Sequence, residues 1–379
     1  MKPNQPAKVM QIIARMNVGG PAILVADLMR NLHASKFEMR LVTGYCDENE
    51  SDYLDEVATD IKAIRVPGLG RSISTGKDLK AFFLLMREIR RFKPDVIHTH
   101  TSKAGVLGRA AAFLVRPSAK RIHTFHGHLL HGYFDSRKVK VLVLIEKMLG
   151  LITYKFVAIG NVVKDDLVNV GIAKNCKFEV IYPGLQNLVI YPKLEAREIL
   201  GLDPEKIYLV YVGRLTQIKR PDRLIELGRY LKEHHLSVQI IIAGAGELLE
   251  ELTALSESES LPMIFLGWRN DIDLILNASD IAVLCSDNEG IPLTLIQASQ
   301  ASLPIVSTNV GSVRDIVLDN VTGLLTEVSA KGIIHGVSRL LNDPDSRTRL
   351  GESGQKRAEK VFSSQVMVMR HEELYSQSL

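Results

Sequence analysis

Short apolar runs alternate with helix-compatible segments along almost the whole chain. The earlier runs are Val9–Met16, Met39–Thr43, Ile61–Val66, Asp95–Thr99, Arg121–Phe125, Phe156–Ile159 and Phe178–Tyr182. The later ones are Ile207–Val212, Val238–Ala243, Met263–Leu266, Ile281–Cys285, Pro304–Ser307 and Gly323–Thr326. Apolar strands that alternate with helices are typical of parallel sheets covered on both faces, so the pattern predicts an α/β protein with two doubly wound sheets.

A segment rich in structure breakers separates the two series of runs. It extends from Tyr182-Pro183-Gly184 to Tyr191-Pro192 and reads as an interdomain linker. We therefore expect an N-terminal domain at residues 1–182, a linker at 183–192, a C-terminal domain at 193–362 and a terminal helix within 363–379. Two such domains joined by a hinge are predicted to face a cleft, where a reaction of two substrates can be shielded from water.

Cysteine usage and hydropathy indicate the compartment. The three cysteines, Cys46, Cys176 and Cys285, are odd in number and far apart, which argues against a disulfide framework and for the cytoplasm. No run of about 18 apolar residues occurs, so no transmembrane helix is expected. The apolar stretch Val9–Ala14 is too short for the core of a signal peptide.

Charge is distributed unevenly along the chain. Residues 1–180 contain 28 Lys and Arg against 17 Asp and Glu, whereas the remainder contains 19 against 26. This asymmetry predicts that the N-terminal half faces an anionic partner. Because the basic residues are not interleaved with aromatic ones, an anionic membrane surface is a better candidate than nucleic acid.

The segment Ser286–Gln297 follows a predicted strand and leads into a predicted helix from Pro292 to about Ala301. Gly290 permits close approach of a ligand, and free N–H groups at a helix start bind phosphate. Glu289 precedes this helix start and Gln297 lies about 7 Å further along it. A nucleotide-sugar along the segment would present sugar hydroxyls to Glu289, diphosphate to the helix start and ribose to Gln297. A plain strand-to-helix turn remains the alternative.

Two other strand ends carry residues suited to an anionic ligand. Arg214 and Lys219 follow the run Ile207–Val212, and both side-chain types bind diphosphate oxygens. Gly19 and Gly20 lie between the first strand and first helix, where a backbone can approach a phosphate or a sugar. The alternatives are ordinary surface charges for the first pair and a tight turn for the second.

Histidines are concentrated in the N-terminal half: His98, His100, His123, His126, His128 and His131. A metal site is not expected, because the pairs fall on different predicted strands without a nearby cysteine or a His-Glu-x-x-His spacing. The acidic pairs Asp271/Asp273 and Asp343/Asp345 fall on a predicted helix start and a predicted turn. For His126 and Gly127 two interpretations remain open: a loop that binds the acceptor, or a structural histidine with satisfied hydrogen bonds.

The segment Tyr133–Ile152 mixes basic and apolar residues. It is compatible with an interfacial helix that contacts a membrane. It is equally compatible with a crossover helix buried against the sheet with its lysines in water.

Taken together, these motifs resemble those of the retaining family 4 glycosyltransferases, which have the GT-B fold. The matching elements, in chain order, are Gly19-Gly20, His126-Gly127, Gly213-Arg214-Leu215 with Lys219, and Glu289-Gly290-Ile291-Pro292-Leu293. The stretch with Trp268 and Arg269 resembles the one that meets the nucleobase. The family signature has a second glutamate where this chain has Gln297. An amide can still bind both ribose hydroxyls, accepting from one and donating to the other.

The resemblance implies transfer of a sugar, with retained configuration, from a nucleotide-diphosphate-sugar to an acceptor hydroxyl. A UDP-sugar is the expected donor, and a saccharide or lipid-linked glycan the expected acceptor, in polysaccharide or glycoconjugate biosynthesis. Arg214, Lys219 and the helix start would stabilise the departing diphosphate without a metal or cofactor. Glu289 would hold the donor sugar and His126 the acceptor or the sugar.

In this fold the terminal helix usually crosses back to the first domain.

Two rival functions are a nucleotide-sugar epimerase or hydrolase with the same fold and a non-catalytic nucleotide-sugar-binding subunit.

Overall fold

A computed structural model describes residues 5–48, 50–127, 136–234 and 237–379, with the side chains of residues 136–138 excepted. The chain divides into two compact units. The first comprises Met1–Gly184 together with Ser364–Leu379, and the second comprises Leu185–Ser363. Each unit contains one parallel sheet with helices between its strands.

The strands of the first unit are β1 (Ala7–Ile13), β2 (Phe37–Thr43), β3 (Ala63–Arg65), β4 (Val96–His100), β5 (Lys120–Phe125), β6 (Lys155–Ala158) and β7 (Phe178–Val180). Its helices before the second unit are α1 (Gly20–Asn31), α2 (Tyr53–Glu56), α3 (Thr75–Phe92), α4 (Ser102–Val115), α5 (Ser136–Ile152) and α6 (Asn161–Asn169). The strand order is β3-β2-β1-β4-β5-β6-β7, and every pair is parallel. All carboxyl ends of these strands therefore lie at one edge.

The strands of the second unit are β8 (Ile207–Val212), β9 (Val238–Ala243), β10 (Met263–Gly267), β11 (Ile281–Leu284), β12 (Ile305–Thr308) and β13 (Gly323–Thr326), in the order β10-β9-β8-β11-β12-β13. Its helices are α7 (Lys193–Ile199), α8 (Asp222–His234), α9 (Leu249–Ser258), α10 (Ile272–Ala278), α11 (Leu293–Gln300), α12 (Val313–Ile316), α13 (Ala330–Leu341) and α14 (Pro344–Val361). These strands are also all parallel. In both units the order reverses around the first strand, as in doubly wound folds.

The last helix, α15 (Ser364–Ser378), belongs to the first unit. Met367, Leu374 and Tyr375 of this helix are buried in the same core cluster as Val9 of β1. At its start, Ser364 Oγ donates a hydrogen bond of 2.5 Å to Asp27 Oδ2 of α1. The helix is therefore a full member of the first core.

Every apolar run predicted from the sequence overlaps one of the described strands, which confirms the α/β class with two parallel sheets. The bounds differ: β1 begins at Ala7 and ends at Ile13, three residues before the predicted end at Met16. One prediction about the acidic pairs was wrong. Asp343 and Asp345 lie at the start of α14 and not in a turn, because Asp343 caps this helix by accepting from Ser346 N.

No helix in the described part of the chain is long and apolar enough to cross a membrane.

Candidate functional site

The carboxyl edge of the second sheet carries the segment Ser286–Gln297. The buried strand β11 ends at Leu284, and α11 begins eight residues after Cys285, at Leu293. Pro292 stands at the N-cap and not at the first helical position, because its ψ of 106° is extended. Of the remaining predicted donor residues here, Ile291 is buried, whereas Gly290, Leu293 and Gln297 are partly exposed.

Glu289 is held by an ion pair that joins two strand ends. Lys219, in the short 3₁₀ turn Gln217–Lys219 after β8, has its Nζ 2.6 Å from Glu289 Oε1 and 2.7 Å from Oε2. Ser286 Oγ donates to Glu289 Oε1 at 2.6 Å. The Glu289 side chain is 6 % exposed and that of Lys219 19 %. A buried carboxylate is tolerated here because a cation and a hydroxyl satisfy its oxygens.

Cys285, the residue after β11, forms hydrogen bonds with the turn that contains Lys219. Its Sγ donates to the carbonyl oxygens of Lys219 at 3.3 Å and of Arg220 at 3.2 Å. Burial raises the pKa of the Cys285 thiol far above its ordinary value. The sulfur is therefore a neutral structural donor rather than a nucleophile.

Arg214 is exposed in the loop after β8. Tyr211 OH donates to the backbone oxygen of Arg214 at 3.2 Å, and burial raises the pKa of this phenol well above its ordinary value. Two glycines that follow β9 pack against the same loop. A Cβ on Gly244 would lie 1.9 Å from Gly213 O, and one on Gly246 would lie 2.4 Å from Leu215 O. The glycine turn after β9 is thus explained by close backbone packing against the Arg214 loop.

Trp268 and Arg269 follow β10 at this edge. Trp268 is 65 % exposed, so core packing does not explain this tryptophan. The guanidinium of Arg269 is paired with Asp271, the N-cap residue of α10, through Nε at 2.7 Å. The two side chains therefore differ: the indole is accessible, and the guanidinium is already held by a carboxylate.

Two buried hydroxyls at this edge were not anticipated from the sequence. In the described ranges, Thr216 Oγ1 and Ser312 Oγ are buried without a hydrogen-bond partner. Thr216 lies between Arg214 and Lys219, and Ser312 N donates to the Glu289 carbonyl oxygen at 3.4 Å. A buried hydroxyl without a partner is rare in folded proteins, so a water, an ion or a ligand group is the expected partner of each.

The carboxyl edge of the first sheet carries a chain of uncharged polar groups. His126 Nε2 lies 2.9 Å from His100 Nδ1, and His100 Nε2 lies 2.7 Å from Gln11 Oε1. Gln11 Nε2 donates to Tyr375 OH at 2.8 Å, and this hydroxyl lies 2.6 Å from His98 Nδ1. His98 Nε2 ends the chain 2.7 Å from Thr124 Oγ1. We call these six residues the polar chain.

The acceptors in the polar chain fix its tautomers. Gln11 Oε1 can only accept, so His100 Nε2 carries the hydrogen and His100 Nδ1 accepts from His126 Nε2. His126 Nδ1 is consequently unprotonated. Burial lowers the pKa of His126 to about 3, and lowers those of His98 and His100 well below the ordinary value. The imidazoles are therefore neutral near pH 7.

His98 and His100 lie on β4 and His123 lies on β5, so the prediction of different strands is confirmed, yet the histidines of the two strands are close together. β4 and β5 are neighbours, and His100 is in register with Thr124, so residues from both strands meet. The rings of His98 and His100 are 4.3 Å apart and those of His100 and His126 are 5.1 Å apart. Even so, no group of three potential ligands in the described ranges is arranged to hold a metal. His128, His131 and Tyr133 lie outside the described residues.

Gly19 and Gly20 begin α1 after β1. Gly19 is the N-cap and Pro21 occupies the first turn. A Cβ at Gly19 would meet nothing closer than Asn17 O at 3.9 Å, and one at Gly127 would meet no atom of the described residues within 4 Å. Packing therefore does not require glycine at either position.

Sequence reasoning missed several contacts of the predicted residues. Ser286 donates a hydrogen bond to Glu289. The sequence offers no indication of this contact other than the position of Ser286 three residues before Glu289. Gln11 could have been noticed, because it interrupts an otherwise apolar run that is buried in the sheet. Tyr375 could not, because it lies 364 residues from Gln11 in sequence.

Family models match both parts of the chain. The model described as Glycosyltransferase Family 4 matches residues 18–186, and that described as Glycosyl transferases group 1 matches residues 192–357. The UDP-Gal:alpha-D-GlcNAc-diphosphoundecaprenol alpha-1,3-galactosyltransferase of Escherichia coli is 32% identical over 81% of this chain and 81% of its own length. The capsular polysaccharide biosynthesis glycosyltransferase CapM of Staphylococcus aureus is 27% identical over 84% and 86%.

Solved structures show the same fold. HepE from Anabaena in complex with UDP-glucose has a TM-score of 0.80 and 19% identity, over 98% of this chain and 99% of that one. Sucrose-phosphate synthase from Thermosynechococcus elongatus has a TM-score of 0.83 and 20% identity, over 98% of each chain. These likenesses confirm the predicted GT-B fold. By both family models and by its similarity to the galactosyltransferase, the chain belongs to family 4 of the nucleotide-sugar glycosyltransferases.

Proposed function

We propose that this chain transfers a hexosyl or N-acetylhexosaminyl group from a UDP-sugar to a hydroxyl of a lipid-linked saccharide, with retained anomeric configuration. The observation that carries the proposal is the ion pair of Lys219 with Glu289 beside the start of α11. The E. coli relative is named for transfer from UDP-galactose to a diphosphoundecaprenol-linked sugar, and HepE was solved with UDP-glucose. A relative named for capsular polysaccharide biosynthesis supports a role in glycan biosynthesis.

The second unit has the groups that a departing diphosphate requires. Negative charge grows on its oxygens as the bond to the sugar breaks, and preorganised cations stabilise that charge. Arg214 is exposed and free to reach the diphosphate, while Lys219 is already fixed by Glu289. The N–H groups at the start of α11 add a third positive contribution.

Glu289 and two hydroxyls would orient the donor. The Glu289 carboxylate only accepts hydrogen bonds, so it suits the hydroxyls of a sugar. Because Lys219 and Ser286 fix its position, the sugar would be held without reorganisation of the carboxylate. The buried hydroxyls of Thr216 and Ser312 would gain partners on the phosphate or the sugar.

The remaining roles follow from the order in which the nucleobase, ribose and diphosphate of the donor would lie along the carboxyl edge of the second sheet. Trp268 would cover the nucleobase with its exposed ring, with Arg269 holding the loop through Asp271. Gln297 would bind the ribose hydroxyls from α11. Gly290, Ile291, Pro292 and Leu293 would shape the path of the diphosphate along the loop before this helix.

The first unit would hold the acceptor. His126 has its Nδ1 unprotonated, so this nitrogen can accept a hydrogen bond from a hydroxyl. With a pKa of about 3, His126 would act as a positioning acceptor in its neutral form and not as an acid. Gly127 next to it, and Gly19 with Gly20 at the start of α1, would let the acceptor or the donor phosphates approach the backbone.

The decisive experiment supplies UDP-, GDP- and ADP-hexoses with an N-acetylglucosamine linked through diphosphate to a short polyprenol. We expect release of nucleotide diphosphate only when donor and acceptor are both present, and an α-linked product by NMR. The Glu289→Gln variant should lose transfer, because the amide weakens the pair with Lys219. Free sugar or an epimer without acceptor would indicate a hydrolase or epimerase. Tight donor binding without any turnover would indicate a binding subunit.

A further inference from the structure

Helix α5 is fixed in the first unit through a buried ion pair. Arg109 of α4 is fully buried, and its Nη2 lies 2.8 Å and 2.7 Å from the two carboxylate oxygens of Glu146. Arg109 Nε also donates to Gly105 O at 2.8 Å. Breaking such a pair would leave a buried charge without a partner, so it holds α5 in one rotation with Glu146 facing inward.

That rotation places apolar side chains in water. On α5, Val141 is 57% exposed, Leu144 59%, Met148 56% and Leu151 83%. With about 100° per residue these four positions lie within an arc of about 80°, on the side of the helix opposite Glu146. A surface helix normally presents this face to the core. We call these four side chains the apolar stripe.

Arg121 contacts both α4 and the end of α5. The Arg121 guanidinium lies 5.8 Å from the centre of the Phe113 ring, which is 47% exposed. Arg121 Nε donates to Ile152 O at the end of α5, at 2.6 Å. An exposed aromatic ring therefore lies on α4, the helix that contacts α5.

The charge around the apolar stripe is positive. Lys140 and Lys147 are exposed on α5, and helical spacing puts both beside the stripe. Residues 101–180 contain 13 Lys and Arg against 5 Asp and Glu.

We propose that the apolar stripe of α5 and its flanking cations form a docking surface for an anionic lipid bilayer. Apolar side chains enter the boundary between headgroups and acyl chains, while the lysines remain at headgroup level. A second copy of the chain is a poorer occupant, because two faces with the same positive charge repel each other. The inference rests on the proposed lipid-linked acceptor for its purpose, since such an acceptor is reached from a membrane surface.

The sequence left two interpretations of this segment, and the described residues combine them. α5 connects β5 and β6 and buries Glu146, as a crossover helix does. It also presents an apolar face with lysines beside it, as an interfacial helix does.

Flotation with vesicles tests the docking surface. We expect the full-length protein to float with vesicles of equal parts phosphatidylcholine and phosphatidylglycerol, and to remain below vesicles of phosphatidylcholine alone. Leu144→Glu combined with Leu151→Glu should reduce the bound fraction by about tenfold or more, because each carboxylate opposes both insertion and anionic lipid. Raising the salt concentration should weaken binding of the native chain.

A matched control is Leu194→Glu on α7 of the second unit, which is 66% exposed and should float like the native chain. The docking surface is overturned if the native chain does not bind anionic vesicles, or if the double variant binds as well as the control. It is also overturned if the native chain elutes as a dimer that the double variant abolishes. Transfer to a short-chain acceptor in solution should be the same for all variants. If the native chain shows no such transfer, the proposed function is contradicted, whereas the vesicle experiment still tests the docking surface.

Discussion

The two sheets share a doubly wound strand order, but the polar groups at their carboxyl edges differ in kind. The second edge has ions: Arg214 is exposed, and Lys219 is paired with Glu289. The first edge has the polar chain, whose imidazoles are neutral because burial lowers their pKa values. A charged side chain is tolerated where an opposite charge or water stabilises it. Where hydrogen bonds are the only stabilising contacts, the buried polar side chains are neutral.

This comparison predicts that acid disrupts the first unit before the second. His98, His100, His123, His126 and His371 all have pKa values lowered by burial, to about 3 for His126 and about 4 for His371. Unfolding returns them to about 6.5, so the unfolded chain binds more protons below that pH. Their stabilising contribution is complete above about pH 6.5 and is lost as the pH falls toward 3, by up to about 1.4 kcal/mol per pH unit for each histidine.

In the second unit the lowered pKa values belong to carboxyl groups such as Asp222 and Asp271. Their contribution is complete above their unfolded pKa values and is lost only below about pH 4. Scanning calorimetry from pH 7 to 4, with peptic mapping of the opened segments, measures the order. Equal losses in the two units, or earlier opening of residues 185–363, would show that the histidines do not govern acid stability.

Removing the cation of the second edge should have the largest effect on catalysis. Lys219→Met leaves the Glu289 carboxylate with Ser286 as its remaining side-chain partner among the described residues and removes one positive charge from the proposed diphosphate site. We expect kcat/KM to fall by about 10²–10³-fold, as for loss of a group that stabilises transition-state charge. Lys331→Met, at an exposed position of α13, is the matched control and should be unaffected. Activity within a few fold of the control would remove Lys219 from the mechanism.

A smaller effect is expected at the first edge, where no charge is lost. Tyr375→Phe removes the hydroxyl that accepts from Gln11 and contacts His98, so the amide of Gln11 no longer has one preferred orientation. His100 and His126 would then exchange between tautomers, and kcat should fall about tenfold with an unchanged KM for the donor. Steady-state kinetics with each substrate varied separates the two constants. A changed donor KM with normal kcat would contradict the assignment of the polar chain to the acceptor.

The smallest effect is expected at Gln297. An amide in place of a carboxylate weakens one charged hydrogen bond to ribose, which costs on the order of 1 kcal/mol. Gln297→Glu should therefore preserve activity or raise it by a few fold, mainly through donor affinity. Isothermal titration with UDP measures this directly. Abolished activity in this variant would show that the amide has a role that a carboxylate cannot fill.

Much of the fold could be predicted, because buried parallel strands require continuous apolar runs and leave a clear pattern. The candidate residues on the loops could be named from a family resemblance, but their partners could not. Lys219 and Glu289 are 70 residues apart, and nothing local indicates that they pair. His98 and Thr124 meet because β4 and β5 are neighbours, which depends on strand order rather than on either segment.

The orientation of α5 shows another limit. Apolar residues lie on every side of this helix, so the sequence does not show which of them are exposed, and the pair of Arg109 with Glu146 decides this. A single long-range contact thus selects a rotation that the local pattern leaves open.

The discontinuity of the first unit has a consequence for biosynthesis. Tyr375 completes the polar chain, but it is made only after all of residues 185–363. Chains fold from the N-terminus during synthesis at about 5–20 residues per second, so the N-terminal lobe must wait tens of seconds on the ribosome for its final helix. The second unit is continuous and can close earlier. Emergence of α15, rather than emergence of residue 184, is therefore the earliest moment at which the first unit can complete its core.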